Sequence, residues 1–348
     1  MHPRAICALL LAAAGSGCEI YPVDPSGPYD SPGYGFSLVY SAEDPFDSSL
    51  PLITTSLWDG RHQETLAVGT SPAWSPWGGT ILFLDAGLQE ISDDGSWQQL
   101  LYLGDAFRFP VWVGWSPMGD RYAFLDHSGT SCNAILIAAT DSGIAYDYGD
   151  QCAADHGRAW RLAWSPRGDE LVYHAQGDSP WYDIYVAEVD GVNTWNLTAS
   201  TWHDHSPTWS PDAHEIAYVS TRRTGPFREG ELYVMNWDGS ESRQLVDGEA
   251  MLPSWSPTGD HIAFIGPDDG LFTVDMTTHS TRRLTRETTG RYPLPAALRW
   301  SPDGHRIAFV SDSGYLYTIH SDGTEEVRVS DTRIVGAEFD WSPYEWRR

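Results

Sequence analysis

The residues best suited to chemistry stand together at His203, Asp204 and His205. In an extended chain the side chains of residues i and i+2 lie on the same side, so both histidines could reach one metal ion. A catalytic or structural zinc site needs at least three protein ligands, and no third ligand stands at a suitable spacing. The sequence therefore predicts ordinary loop residues here, with no metal and no cofactor.

The cysteines are the second set of candidates, and the first two lie in a segment typical of export. Met1 to Arg4 is a short basic start, and Ile6 to Gly15 is an apolar run. This run is too short to span a bilayer, so residues 1–17 are predicted to be a signal peptide. Cys7 would leave with that peptide.

Cys18 follows the small residues Gly15-Ser16-Gly17, and this tetrapeptide resembles the lipobox of bacterial lipoproteins. The resemblance implies that Cys18 is acylated and becomes the N-terminus of the mature chain. Lipoboxes usually carry Leu where this chain has Gly15, so cleavage without lipidation in the stretch Ala12-Ala13-Ala14 is the alternative. Residues 18–35, rich in Pro, Gly, Ser and Asp, are predicted to form a flexible tether.

Cys132 and Cys152 remain as the cysteine pair of the mature chain. The strands predicted at 133–139 and 144–149 form a hairpin in which the numbers of opposed residues sum to 283. This register places Cys132 opposite Gln151, one residue from Cys152. Because exported proteins mature in an oxidising compartment, we predict a structural disulfide between the two cysteines, stabilising the fold by about 3 kcal/mol.

Catalytic motifs are missing from the sequence. It contains no Gly-x-Ser-x-Gly elbow of serine hydrolases, no phosphate-binding glycine loop and no zinc-type cysteine spacing. The nearest match to the elbow, Gly114 to Met118, lacks the second glycine. The chain is therefore predicted not to be an enzyme, and no catalytic residue is assigned.

A repeat defines the elements that must carry these residues. A Trp-Ser-Pro tripeptide occurs seven times at intervals of 41 to 49 residues, a period typical of propeller blades. Ser, Pro and a glycine two residues after Pro, present in five copies, are the preferences of a type I turn. The other tryptophans of the mature chain are expected to fill gaps between blades. The repeated tryptophans, which are assigned a structural role, are Trp74, Trp115, Trp164, Trp209, Trp255, Trp300 and Trp341.

Each repeat is predicted to contain four strands. A short apolar segment rich in β-forming residues, such as Ile216-Ala217-Tyr218, follows each turn but the last. A third strand such as Leu232 to Met235 and a tight turn such as Asp238-Gly239 come next, followed by a polar–apolar fourth strand.

The two ends of the chain determine the number of blades. Trp341 is followed by only seven residues, so the last repeat can supply one strand. The three missing strands are predicted at 36–41, 52–57 and 62–68, and strands from both termini would then close one blade without an exposed edge. The prediction is an all-β, seven-bladed β-propeller over residues 36–343, with residues 344–348 as a C-terminal tail.

The repeat from Pro207 to Leu245 resembles the WD40-like repeat of the TolB β-propeller family. The likeness rests on its Pro-Thr-Trp-Ser-Pro-Asp start, the two strands that follow and the Asp-Gly turn, and it covers nearly all of the mature chain. It implies a propeller fold, and it explains Asp204 as the aspartate that such repeats carry three residues before Pro207. TolB proteins carry an α/β domain before six blades, which is not predicted here, so their partners are not transferred to this chain.

The charge of the chain limits its partners. With 48 acidic and 21 basic residues, the formal net charge is −27. Such a surface repels nucleic acid, so no nucleic-acid partner is expected, and contact with a membrane is expected only through the lipid anchor.

These features favour a non-catalytic lipoprotein that binds another envelope protein or a glycan through the loops of one propeller face. It would be exported and anchored to the bacterial envelope, at the outer membrane on its periplasmic or surface side. The alternative is a metal-dependent polysaccharide lyase, because oligogalacturonate lyases resemble this chain in using a seven-bladed propeller with a histidine-rich metal site. Against it, an acidic surface suits an anionic sugar poorly, and the histidines group only at His203 and His205.

Overall fold

The computed structural model describes residues 35–47, 50–103, 109–127, 133–140, 145–147, 162–176, 180–189, 193–223, 230–285 and 298–346. These residues belong to one unit of the chain, Gly33–Arg348. Within them, 28 strands form seven four-stranded antiparallel sheets, and one 3-10 helix covers Pro267–Asp269. None of the helical structure in these ranges is long and apolar enough to cross a membrane. The prediction of an all-β, seven-bladed propeller is confirmed.

We number the blades from the N-terminus of the chain. Blade 1 contains β1 (Gly35–Glu43), β2 (Pro51–Leu57), β3 (Glu64–Val68) and the last strand, β28 (Ile334–Trp346). Blade 2 contains β4 (Thr70–Trp74), β5 (Thr80–Leu84), β6 (Leu88–Ser92) and β7 (Gln98–Tyr102), and blade 3 contains β8 (Phe109–Trp115), β9 (Arg121–His127), β10 (Asn133–Ala139) and β11 (Ala145–Asp147). Blade 4 contains β12 (Leu162–Trp164), β13 (Glu170–Gln176), β14 (Tyr182–Glu188) and β15 (Thr194–Asn196), and blade 5 contains β16 (Asp204–Trp209), β17 (Glu215–Ser220), β18 (Glu231–Asn236) and β19 (Arg243–Gln244). Blade 6 contains β20 (Met251–Trp255), β21 (His261–Ile265), β22 (Leu271–Asp275) and β23 (Thr281–Arg283), and blade 7 contains β24 (Arg299–Trp300), β25 (Arg306–Val310), β26 (Leu316–His320) and β27 (Val327–Arg328).

The strand that carries the Trp-Ser-Pro motif is the innermost strand of its blade. These strands contact one another around the ring: β4 touches β28 and β8, and β16 touches β12 and β20. In blades 2 to 7 the motif ends this strand and the Ser-Pro turn leads into the second strand. We call the face that carries these turns the turn face and the opposite face the loop face.

The Ser-Pro turns have the hydrogen bond of a type I turn. In blades 2 to 7 the N–H of the residue two places after Pro donates to the Ser carbonyl oxygen at 2.8 to 3.0 Å. That residue has a positive φ, between +61° and +76°, which explains why five of the six are glycine. Ala213 adopts the same conformation in blade 5.

Strands from both ends of the described chain close blade 1, as predicted. β1 lies between β28 and β2, with Leu38 opposite Trp341 on one side and Ser56 on the other. Because Gly35 and Phe36 pair with Trp346 and Glu345, β28 continues three residues into the segment predicted to be a C-terminal tail.

Seven clusters of buried side chains form the core, and among the described residues each cluster joins two neighbouring blades. Trp74, for example, packs with Val39 and Phe83 between blades 1 and 2. Trp341 packs with Leu316 between blades 7 and 1. Every pair of neighbouring blades therefore packs together through apolar side chains, including blades 7 and 1, so the ring is closed.

The hairpin of blade 3 has the register from which the disulfide was predicted. Leu136 pairs with Asp147 and Ala138 with Ala145, so opposed residue numbers sum to 283. Cys132 and Cys152 lie outside the described residues, and so does Cys18. The disulfide and the lipidation therefore stay predictions.

Candidate functional site

The seven motif tryptophans are used in packing between blades. Each belongs to the cluster that its blade shares with the preceding blade. At three interfaces the indole N–H also donates to a carbonyl oxygen of the preceding blade: Trp164 to Gly114 (3.2 Å), Trp300 to Ser254 (3.0 Å) and Trp341 to Arg299 (3.1 Å). The other indole N–H groups are buried and have no acceptor among the described residues: Trp74, Trp115, Trp209 and Trp255.

Three histidines meet on the loop face where blades 4 and 5 adjoin. His174 lies near the end of β13, and its ring centroid is 6.2 Å from that of His205 in β16. Tyr182 lies between them and His203, with centroid distances of 5.5 Å to His174 and 5.2 Å to His203. Trp181 packs edge-on against His203 at 5.0 Å. We call these five residues the histidine cluster.

The sequence grouped only His203 and His205, and it missed His174 because that residue belongs to the preceding blade. The order of strands within each predicted blade could have indicated that His174 lies near the other two histidines. The end of a second strand and the start of the next blade's first strand lie on the same face of a propeller. His174 near the end of β13 and His205 near the start of β16 are therefore expected on the same face of adjacent blades.

A hydrogen bond from the backbone determines which ring nitrogen of His203 carries the proton. The Tyr182 N–H donates to His203 Nδ1 at 3.2 Å, which places the proton of the neutral ring on Nε2. Burial lowers the pKa of His203, although the Asp204 carboxylate acts in the opposite direction. His203 is therefore a neutral hydrogen-bond donor at neutral pH. Within the ranges that the structure describes, no group of three or more His, Cys, Asp and Glu residues is placed to hold a metal ion.

Asp183 holds the loop that leads to the histidine cluster. Its carboxylate is buried and accepts hydrogen bonds from Asn196 Nδ2 (2.9 Å), Thr198 Oγ1 (3.1 Å) and the Ser200 N–H (2.8 Å). These three bonds fix the connection between β15 and β16. They set the position of His203 at its end.

Asp204 is fully buried at the start of β16, and its Oδ1 is 3.7 Å from Arg222 Nη2. Burial raises the pKa of Asp204, and the hydroxyls of Ser220 and Ser200 and the Arg222 guanidinium only partly offset that effect. The carboxylate faces the interior of blade 5. It supports the strand that carries His205 and is not available to a ligand in solvent.

Arg222 completes this network. Its guanidinium lies 4.2 Å from the centroid of the Tyr233 ring, donates from Nη2 to Tyr218 Oη at 2.7 Å and donates from Nε to Ser220 Oγ at 2.8 Å. Arg222 thus links the neighbourhood of Asp204 to Tyr218, Ser220 and Tyr233, while both carboxylate oxygens of Asp204 are buried without a hydrogen bond among the described residues.

A partly buried carboxylate links the innermost strands of blades 1 and 2. Asp340 in β28 accepts the Trp74 N–H on Oδ2 and the Trp341 N–H on Oδ1, both at 3.0 Å. Burial raises the pKa of Asp340 to about 6, although the nearby Arg299 opposes the shift. Arg299 Nη2 in turn lies 3.6 Å from Glu338 of β28.

The blade order, the closed ring and the interface tryptophans together define a repeat-built, seven-bladed β-propeller. The chain belongs to the TolB β-propeller domain family, whose model matches residues 88–345. The family assignment suggested by the Trp-Ser-Pro repeat is thereby confirmed.

Known proteins resemble this chain to different extents. The Tol-Pal system protein TolB of Alcanivorax borkumensis is 36% identical over 101 residues, which are 28% of this chain and 23% of that protein. The matched segment thus spans about a quarter of that relative. The structure of TolB from Acinetobacter baumannii has a TM-score of 0.57 at 15% identity, over 88% of this chain and 66% of its own. The structure of an oligogalacturonate lyase in complex with manganese has a TM-score of 0.60 at 14% identity. The match covers 86% of this chain and 85% of the lyase chain. These two structures show the fold alone.

Proposed function

We propose that this protein is a non-catalytic, envelope-anchored propeller that binds another envelope protein or a glycan. The observation that carries the proposal is how the densest polar region of the described residues is engaged. There, His203 accepts a backbone N–H, Asp204 lies beside Arg222, and the Arg222 guanidinium lies over the Tyr233 ring, so these three side chains serve contacts within the chain. A similar relative is named as a protein of the Tol-Pal system, which supports a role in an assembly.

The proposed export and anchoring depend on Cys18 and the tether. Growth with a clickable fatty acid should label the wild-type protein, which should sediment with membranes. A Cys18→Ser variant should lose the label and leave the membrane fraction while still being exported. Unlabelled wild-type protein would contradict lipidation and favour plain cleavage near Ala12-Ala13-Ala14.

The binding role is tested with the full chain immobilised and exposed to an envelope extract. A retained protein or glycan should then be purified and titrated by calorimetry at about 0.15 M salt, where surface charges are screened beyond about 8 Å. An unrelated protein of similar negative charge is the control, because a net charge of −27 alone can attract basic molecules. Retention of nothing beyond that control would contradict the proposal.

The gathering of His174, His203 and His205 favours one second candidate, a metal-dependent polysaccharide lyase. The full chain would be incubated with oligogalacturonate and Mn²⁺, and the unsaturated product followed by its ultraviolet absorbance. We expect no turnover, because the Tyr182 N–H occupies the Nδ1 lone pair of His203. Turnover that a His203→Ala variant abolishes would replace the binding function with this one.

A further inference from the structure

The residue that follows Pro in each Trp-Ser-Pro motif lies on the turn face, and these seven positions form a ring. In three consecutive blades, 1 to 3, the side chain is apolar and about half exposed: Tyr344 is 52%, Trp77 is 55% and Met118 is 50% exposed. The positions of blades 4 to 7 are polar or charged: Arg167, Asp212, Thr258 and Asp303. Trp77 does lie across two blades, as expected of the remaining tryptophans, but about half of its surface is exposed.

The three apolar side chains form one continuous strip, because each lies against the turn of the next blade. Tyr344 lies against Gly78, and the indole of Trp77 covers Gly119 so closely that a Cβ there would collide with it. The Trp77 Nε1–H donates to the Met118 carbonyl oxygen at 3.0 Å. We call Tyr344, Trp77 and Met118 the apolar arc.

A cleft of about 260 Å³ lies on the turn face between blades 1 and 2, the two blades that carry Tyr344 and Trp77. Trp74, three residues before Trp77, lines it, and so do Glu64 and Asp93. Its described lining includes His62 and no arginine. Burial and the neighbouring Asp94 raise the pKa of Asp93, so a cation placed in the cleft would relieve an unfavourable environment for this carboxylate.

We propose that the apolar arc and this cleft together bind a polypeptide segment, with aliphatic or aromatic side chains on the arc and a lysine or arginine in the cleft. The proposal rests on the binding function proposed above and specifies the class of partner.

The composition of the ring supports a protein partner. Tyr, Trp, Met and Arg are the residue types enriched at protein interfaces, and they occupy four adjacent positions of the ring, from Tyr344 to Arg167. Tyr and Trp are also the commonest hot-spot residues. A net charge of −27 attracts a basic segment over a distance. Because the Trp77 N–H is already bonded to Met118, it is not free for a sugar hydroxyl, which favours a peptide over a glycan.

The probe is a library of random twelve-residue peptides displayed on phage and selected on the immobilised full chain. We expect the selected peptides to share apolar residues next to a lysine or arginine. One of them, synthesised with a fluorescent label, would be titrated by anisotropy. Trp77→Ala should weaken its binding about tenfold or more, because a central aromatic contact is lost. Trp237→Ala is the matched control, since Trp237 is 50% exposed but lies outside the ring, and its effect should stay within about twofold.

The cleft has its own matched pair of variants. Asp93→Asn should weaken binding about threefold to tenfold and reduce its salt dependence, as expected for loss of one charge–charge contact. Asp85→Asn removes the same charge from an exposed loop of blade 2 on the loop face and should change neither quantity. Met118→Ser tests the arc independently, in case Trp77→Ala disturbs folding.

Several outcomes would overturn the inference. Peptides that bind Trp77→Ala and Met118→Ser as tightly as wild type do not use the arc. Competition by chitotetraose that depends on Trp77 would make the arc a glycan site, and concentration-dependent dimers that Trp77→Ala abolishes would show that a second copy covers it. If an envelope partner binds both arc variants normally, this inference fails while the proposed binding function stands.

Discussion

The histidine cluster and the apolar arc are opposite kinds of region on opposite faces of the ring. The cluster is rich in groups that could do chemistry, yet its loop is tied by Asp183 and the His203 Nδ1 lone pair is taken by a backbone N–H. The arc contains no reactive group, yet Trp77 and Tyr344 expose half of their surface. The comparison teaches that polar side chains held by contacts within the chain indicate a structural role, whereas adjacent aromatic side chains that stay half exposed indicate contact with a partner.

Each region also lies near an aspartate, fully buried at Asp204 and partly buried at Asp340, and the two differ in what surrounds them. Asp204 has hydroxyls and the Arg222 guanidinium as neighbours, whereas Asp340 accepts two backbone N–H groups from neighbouring blades. The first supports a single blade and the second ties two blades together.

The largest effect is expected for Asp204→Ala. The change leaves a cavity at a fully buried position and removes the ion-pair partner of the partly exposed Arg222, so the free energy of unfolding should fall by about 3 kcal/mol. Denaturant titration measures it, with Asp85→Ala at an exposed position as the control. A loss below about 1 kcal/mol would mean that the loop-face network is not needed for folding, and the contrast between the two regions would disappear.

The next effect is a pH dependence that comes from Asp340. Its folded pKa of about 6 lies above the usual value of 3.8, so the folded state binds more protons between pH 4 and 6. The contribution of Asp340 to stability is thus fully present below about pH 4 and lost as pH rises through 6, by roughly 2 to 3 kcal/mol.

Asp340→Asn should remove this contribution, so the difference in unfolding free energy between wild type and variant should change across that window. It is measured by denaturation at matched pH values. A difference that stays constant from pH 4 to 7 would show that Asp340 is ionised in both states.

A smaller effect separates two glycines of the turn face. Gly119 and Gly79 both have positive φ, +65° and +76°, so alanine at either should cost about 1 kcal/mol. A Cβ on Gly79 meets nothing within 4 Å, whereas one on Gly119 meets the Trp77 indole, so Gly119→Ala should cost about 1 kcal/mol more. It should also change the near-ultraviolet circular dichroism of the tryptophans, and equal effects of the two variants would mean that Trp77 moves freely.

The smallest effect is expected from a comparison of two interface tryptophans, one in a blade of each region, that differ in hydrogen bonding. Trp164 donates its indole N–H to Gly114 between blades 3 and 4, whereas that of Trp74, between blades 1 and 2, has no acceptor among the described residues. Trp164→Phe should therefore destabilise by about 0.5 kcal/mol more than Trp74→Phe, as measured by urea titration of both variants. The reverse order would indicate that Trp74 has a partner beyond those residues.

Much of the fold was predictable because the turns and strands of each repeat depend on residues that are close together in the sequence. The Ser-Pro turns, the apolar second strands and the strands at both termini placed the blades, and the register of the blade 3 hairpin followed from its turn. The extent of β28 was missed, because Glu345 and Trp346 become strand residues only by pairing with Phe36 and Gly35 at the far end of the chain.

The candidate sites were less predictable, because both arise between blades. His174 joins His205 only when two blades lie side by side, although they belong to different repeats. The apolar arc depends on the order of blades 1 to 3 around the ring, and the exposure of Trp77 cannot be inferred from its residue type. Repetition predicts the residues that recur, and the surfaces consist of those that do not.

The closing blade also has a mechanical consequence. β1 is hydrogen-bonded to β28 on one side and to β2 on the other, with the chain running from the N-terminus into Gly35. A pulling force on the segment before Gly35 would act on a strand held by two ladders, and an inner strand of this kind cannot be peeled away as an edge strand can. If a lipid holds the chain at Cys18, a partner that pulls on the propeller would therefore load a strand that is paired on both sides.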